Sequence, residues 1–218
     1  MSLAIFDLDN TLIANDSDFL WGQFLVDQGI VDKEVYAETN AKFYDDYKHG
    51  KLDMEEFLNF ALKPLAEHSP EQLFEWREQF ITDLIHPILL PAAQRLVNKH
   101  RQNGDTLLII TATNRFITEP IAQLYGIEQL LATEPEFQNG QYTGRFTGIP
   151  CFQEGKVHRL QHWLSINPQE SLDDSWFYSD SHNDLPLLQQ VTHPVAVDPD
   201  DTLKEHALTN EWDIISLR

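Results

Sequence analysis

With 218 residues, 42% of them hydrophobic and 23% charged, the chain can bury a full core as one α/β domain with a modest insertion or as two small domains, and it is too apolar for intrinsic disorder. Asp and Glu outnumber Lys and Arg 35 to 15, a net charge of -20 that argues against nucleic acid or an anionic membrane as partner, since both are bound through Lys and Arg. Cys151 is the only cysteine, which excludes an internal disulfide; Asp7 and Asp9 interrupt any signal-like apolar run, no stretch nears the ~20 apolar residues of a membrane span, and a cytoplasmic location is expected.

Leu3 to Leu8 is a short apolar run ending in polar residues, the pattern of a buried strand whose carboxyl end carries Asp7 to Thr11. From Asp16 to His86 the pattern turns helical, with no convincing strand. Phe19, Leu20, Phe24 and Leu25 recur at helical spacing and Gly29 supplies a stop. Asp32 and Asp53 read as N-caps, Asp53 with Glu56 as capping-box partner, and Ser69-Pro70 as a cap followed by proline at the first helical position. Then the chain alternates. A helix from Pro91 to Asn103 ends at Gly104, the strand Thr106 to Ile110 runs into Thr111-Ala112-Thr113-Asn114, and a helix carrying Ile117, Ile121 and Leu124 ends at Gly126. Asn139-Gly140, flanked by Phe137 and Tyr142, marks a hairpin. A helix near Lys156 to Leu164 leads to the strand Ser175 to Ser179 and the loop Asp180 to Asp184, and Val195 to Val197 and Ile214-Ile215 read as two further strands. This alternation predicts an α/β fold, a doubly wound parallel sheet with ligands beyond the strand carboxyl ends. A helical cap is inserted after the first strand, so that residues 1–14 and 87–218 form the core domain and 15–86 the cap domain.

Four polar clusters fall at the predicted strand ends or in adjacent loops: Asp7/Asp9/Thr11, Thr111, Lys156 and Asp180/Asn183/Asp184. Singly, each has an ordinary structural explanation: an Asp after a strand turns or caps, a Thr satisfies local backbone, a helical Lys is a solvated charge. Together they suit one chemistry. Three carboxylates meeting in one crevice repel one another unless a hard cation lies between them, and an oxygen-rich, sulfur-free ligand set suits magnesium. Hydroxyls and a lysine would hold a tetrahedral anion. Asp7 and Asp9, two apart at an extended strand end, point to the same side, so one carboxylate can attack phosphorus while the other serves as acid and then base. His182 has no second histidine at ligand spacing and reads as a loop residue.

In this ordered set the chain resembles the haloacid dehalogenase superfamily of phosphatases. Its first motif is matched by Asp7-Leu8-Asp9-Asn10-Thr11-Leu12, its second by Thr111, its third by Lys156 and its fourth by Asp180-Ser181-His182-Asn183-Asp184. The helical insert after the first motif, and the hairpin Gly140-Gln141-Tyr142-Thr143-Gly144 ahead of Gly155-Lys156, are similar to the phosphoserine phosphatase-like subgroup. The resemblance implies a magnesium-dependent phosphomonoesterase acting on a small phosphorylated metabolite. Asp7 would be nucleophile and metal ligand. Asp9 would be the acid and base, with its backbone carbonyl on the metal, and Asp180 would complete the metal site. Thr11, Thr111 and Lys156 would bind phosphoryl oxygens, with Asn183 and Asp184 orienting phosphate, water or Lys156.

Asp16 stands where phosphoserine phosphatases of this subgroup carry a glutamate that holds the substrate ammonium, and it also suits the N-cap of the first cap helix. Phosphoserine recognition calls for a cap arginine to grip the carboxylate, yet no arginine lies between Asp7 and Trp76. The insert instead carries Asp18, Asp45, Asp46, Glu55 and Glu56. That favours an ester bearing amine or imidazole groups without a carboxylate, with histidinol phosphate the best fit, and some bacterial histidinol phosphatases resemble this subgroup. Lysines at 33, 42, 48, 51 and 63 could replace the arginine, which keeps phosphoserine open. Trp21, Phe43, Tyr44 and Tyr47 could stack on an aromatic leaving group or belong to the core. A receiver-like signalling module also joins an aspartyl-phosphate to Thr, Lys and magnesium, but it would be shorter and lack the insert.

Overall fold

The structure, a computed structural model, describes residues 2–218. β1 (Leu3–Phe6) is buried along its whole length. Its alternate side chains serve opposite faces, Ala4 and Phe6 joining one apolar cluster and Leu3 and Ile5 the other. This two-sided burial is why the segment reads as a continuous apolar run.

The insert follows as α1 (Ser17–Asp27), α2 (Lys33–Lys48), α3 (Met54–Ala61), α4 (Lys63–Glu67) and α5 (Pro70–Phe80), the last running into a π turn and a 3-10 turn that end at Ile88. Side-chain caps set four of these starts. Asp16 accepts the Phe19 N–H, Asp32 that of Val35, Asp53 those of Glu55 and Glu56, and Ser69 that of Gln72, each cap worth about 1 kcal/mol. The helices do not enclose a separate core. Trp21, Phe24, Leu58, Leu73 and Phe80 belong to the same cluster as Phe6 on the sheet, and the Trp21 ring meets Phe116 edge-on at 5.7 Å.

The remaining elements are α6 (Pro91–Asn103), β2 (Thr106–Asn114), α7 (Arg115–Leu124), β3 (Gln129–Gln138), β4 (Gln141–Thr147), α8 (Glu154–Ile166), β5 (Trp176–Ser179), α9 (Leu185–Leu188), β6 (His193–Val197), α10 (Asp201–Thr209) and β7 (Asp213–Ile215). The sheet runs β4-β3-β2-β1-β5-β6-β7, parallel throughout except for the β3–β4 hairpin. Asn139 and Gly140, at φ 51 and 83, make the hairpin turn with both central residues left-handed, as a type I′ turn requires.

Three features differ from the sequence-based expectation. β2 continues to Asn114 instead of ending at Ile110, with a register shift between those residues, an irregularity that re-aims the side chains of Thr111 to Thr113. The first half of β3 pairs in parallel with β2, and α10 covers the far edge; neither shows in the pattern, since α10 buries only Leu203 and Ala207. β1 lies between β2 and β5, so the chain leaves its carboxyl end toward opposite sides of the sheet. That is the topological switch point where such sheets bind ligands, and Asp7, Thr111 and Asp180 all sit there. Among the described residues no helix is long and apolar enough to cross a membrane.

Candidate active site

Asp7 directly follows β1, and its N–H donates to the Tyr178 carbonyl of β5 at 2.9 Å. The chain then turns tightly: Asn10 adopts a left-handed φ of 56, and the N–H groups of Thr11, Leu12 and Ile13 all point to the Leu8 carbonyl. Lys156, 2% exposed, donates through Nζ to Asp7 at 2.8 Å and to Asp184 at 2.7 Å. Asp184 is fixed in turn by the Ser179 hydroxyl at 2.7 Å. Thr11 is fully buried, donates its hydroxyl to Asp180 Oδ1 at 3.0 Å and accepts the Asp180 N–H at 3.1 Å. It therefore braces Asp180 from behind and is not part of the cavity wall described below.

Asp9 turns its carboxylate toward the insert, accepting the Ser17 N–H at 2.6 Å and the hydroxyls of Thr113 at 2.8 Å and Thr111 at 3.4 Å. Asn183 links core to insert: Gln153 Nε2 donates to its Oδ1 at 2.9 Å, and its Nδ2 donates to the Tyr47 carbonyl at 3.0 Å. Thr113, Ser17, Ser179 and Gln153 were not singled out from the sequence. Only Thr113 left a signal there, because in an extended strand it shares a side with Thr111.

Burial dominates the electrostatics. It lifts Asp7 to about 7 against the pull of Lys156, with Asp184 and Asp9 adding repulsion. Asp180 stands well above the ordinary carboxylate value through burial and the nearby Asp7. Burial also raises Asp9, although its bonds from Ser17 and Thr113 oppose this. Lys156 shows the reverse balance: burial alone would lower it, but Asp184 and Asp7 hold it firmly protonated. One ammonium thus faces more carboxylate charge than it can neutralise.

The Asp9 side chain stands apart from the other two carboxylates, held by Ser17 and Thr113. Among the described residues no group of three His, Cys, Asp or Glu side chains forms a metal cage. Asp7, which raises the proton affinity of Asp180, leaves with it a two-carboxylate, all-oxygen donor set. Such a set suits magnesium, which keeps several waters and takes one or two carboxylates plus phosphate.

Between sheet end and insert lies a cavity of about 40 Å³ whose floor includes Asp7, Asp9 and Thr111 and whose walls include Asp16, Asp18, Phe19, Tyr44 and Phe57. No lysine or arginine lines it; Lys48, for example, sits over the Tyr44 ring at 4.1 Å instead. Asp16 is pushed well above the carboxylate range by burial, Asp9 and Asp18. Trp21 is core, packed between Phe24, Phe80 and Phe116. Cys151 is fully buried with its thiol pushed up to about 12, an inert position.

Set against known proteins, this arrangement is that of a phosphoric monoester hydrolase. The chain belongs to the haloacid dehalogenase-like hydrolase family, whose family model matches residues 4–189, as the four ordered motifs led us to expect. It is 44% identical over 220 residues to the histidinol-phosphatase of Neisseria meningitidis serogroup C (strain 8013), covering 100% of this chain and 99% of that one. A protein of unknown function from Bordetella pertussis Tohama I superposes with a TM-score of 0.93 at 42% identity, covering 100% and 99% of the two chains. A substrate-bound phosphoserine phosphatase shares the fold, with a TM-score of 0.73 at 17% identity, covering 100% and 93%.

Proposed function

We propose that this enzyme hydrolyses histidinol phosphate in the cytoplasm through an aspartyl-phosphate on Asp7, with magnesium as cofactor. A carboxylate oxygen of Asp7 attacks phosphorus, the bond from phosphorus to the alcohol oxygen breaks, and Asp9 supplies the proton to the departing alcohol. Asp9 then takes a proton from water, which attacks phosphorus and frees the Asp7 carboxylate together with inorganic phosphate. The raised proton affinity of buried Asp9 suits the acid role in the first step. Lys156, Thr111 and Asn183 surround the site where the phosphoryl group would lie, while Asp184 and Thr11 orient Lys156 and Asp180. Asp7, Asp180 and the Asp9 backbone carbonyl would hold magnesium, which when bound supplies positive charge to the phosphoryl oxygens.

Residues 15–86 act as a cap over a core formed by residues 1–14 and 87–218. At about 40 Å³ the closed cavity has space for only a few waters, so the cap and core part to admit the ester and close to exclude water.

The observation that carries the substrate assignment is the cavity itself. Above the nucleophile stand Asp16, Asp18 and aromatic rings with no cationic side chain. A carboxylate-bearing leaving group would meet uncompensated acids there, whereas an amine and an imidazole would be satisfied by them. The 44% identity to a histidinol-phosphatase over the full chain supports the same substrate. Steady-state rates on the two esters test this: kcat/KM for histidinol phosphate should exceed that for phosphoserine by about 100-fold or more, as one charge-assisted hydrogen bond gained and a carboxylate repulsion avoided would give. Equal rates, or a preference for phosphoserine, would overturn the substrate assignment.

A further inference from the structure

Asp16 and Asp18 both line the cavity, but they are held differently. Asp16 caps α1, accepting the Phe19 N–H through Oδ1 at 2.8 Å, and is only 8% exposed. Asp18 lies in the first turn of α1 and accepts Asn114 Nδ2, from the end of β2, at 3.3 Å. Asn114 is itself 3% exposed, and its Oδ1 is buried without a partner. The Asn114 amide thus turns its Nδ2 to Asp18 while its Oδ1 stays unpaired, a cost set against holding the Asp18 carboxylate in place. Phe19 stacks on Tyr44 at 4.7 Å between ring centres, and both line the cavity with Asp18, a wall suited to the face of a flat cation or an imidazole.

Resting on the assignment of this cavity to the leaving group, we propose that Asp18, positioned by Asn114, is the second specificity-determining carboxylate, and that with Asp16 it selects leaving alcohols that carry two nitrogen donors. One donor, an ammonium, meets one carboxylate; the other, an imidazole N–H or a second ammonium, meets the other. Neither carboxylate alone distinguishes such an alcohol from a simple amino alcohol. The pair does, because binding a singly cationic alcohol leaves one acid desolvated and unpaired. The role is distinct from helix stabilisation, which an acid in a first turn also provides.

The test uses the leaving-group site without requiring histidinol phosphate as substrate. Histamine, which carries an amine and an imidazole, and ethanolamine, which carries one amine, are titrated as inhibitors of aryl phosphate hydrolysis by the intact magnesium-loaded enzyme. Asp16→Asn and Asp18→Asn should each weaken histamine inhibition about tenfold or more, the loss of one charge-assisted bond, whereas only one of the two variants should weaken ethanolamine inhibition. Asp18→Ser, which keeps a small polar group, should match Asp18→Asn. Histamine inhibition within about twofold of wild type in Asp18→Asn, equal weakening of both inhibitors by both variants, or no inhibition of the wild type by histamine would overturn the proposal. If histamine inhibits in an Asp18-dependent way while histidinol phosphate is a poor substrate, the two-acid site stands and the ester assignment fails.

Discussion

Ionised Asp18 works against the fold that positions it. Burial, and after it the neighbouring Asp9, lift its carboxyl from an ordinary 3.8 to about 7. A carboxyl that binds its proton more tightly when folded favours folding while protonated. Its contribution is full below about pH 4 and is lost as the pH rises toward 7. Replacing it with the isosteric amide removes that loss and keeps the Asn114 partner. In EDTA at pH 8, Asp18→Asn should melt about 2–4 °C above wild type, with the gap shrinking at pH 5 and gone near pH 4. A lower Tm at pH 8 would mean that the acid serves the α1 N-terminus more than it burdens the cavity. The expected gain is the usual trade of stability for a charged, desolvated site.

At the scale of the element, α8 matters because it delivers Lys156. The helix starts from Gln153, held at φ 48, and comes so close to the preceding segment that a Cβ on Gly155 would lie 2.0 Å from the Pro150 carbonyl oxygen. Backbone cannot yield there as a side chain could, so an alanine must push α8 and Lys156 away from Asp7 and Asp184. Gly155→Ala should lower kcat by about 10²-fold, the cost of a misplacement near 1 Å, in protein whose circular dichroism remains that of a folded α/β chain. A kcat within about threefold of wild type would show that Lys156 is placed by its own ion pairs and not by the helix. The insert reaches the loop after β5 as well, through the Asn183 bond to the Tyr47 carbonyl of α2.

For the whole molecule, the net charge of -20 repels free anions at long range. An ester whose amine and imidazole offset its phosphate approaches at less cost than one with an added carboxylate. Much of the design was legible in the sequence where local chemistry fixes position. Asp32, Asp53 and Ser69 announced helix starts because a cap reaches only two or three residues onward, and the ordered motifs marked strand ends because the doubly wound sheet brings those ends together. The features that stayed hidden depend on partners remote in the chain. Asn114 meets Asp18 across 96 residues, and Thr113 meets Asp9 across 104, so neither the partner of Asp18 nor the turning aside of the Asp9 carboxylate had a local signature. The parallel half of β3 was equally hidden, since the alternation of exposed and buried positions from Gln129 breaks at Thr133.

In the proposed reaction phosphate passes through Asp7. Acid-quenching the magnesium-loaded enzyme during turnover of histidinol phosphate, or of an aryl phosphate should the former be refused, and reducing the product with borohydride converts an acyl phosphate to an alcohol. Homoserine should then stand in place of Asp7 in the peptide spanning residues 1–14, with Asp7→Asn and EDTA-treated enzyme giving neither this product nor turnover. An unmodified Asp7 peptide together with measurable hydrolysis by Asp7→Asn would contradict it.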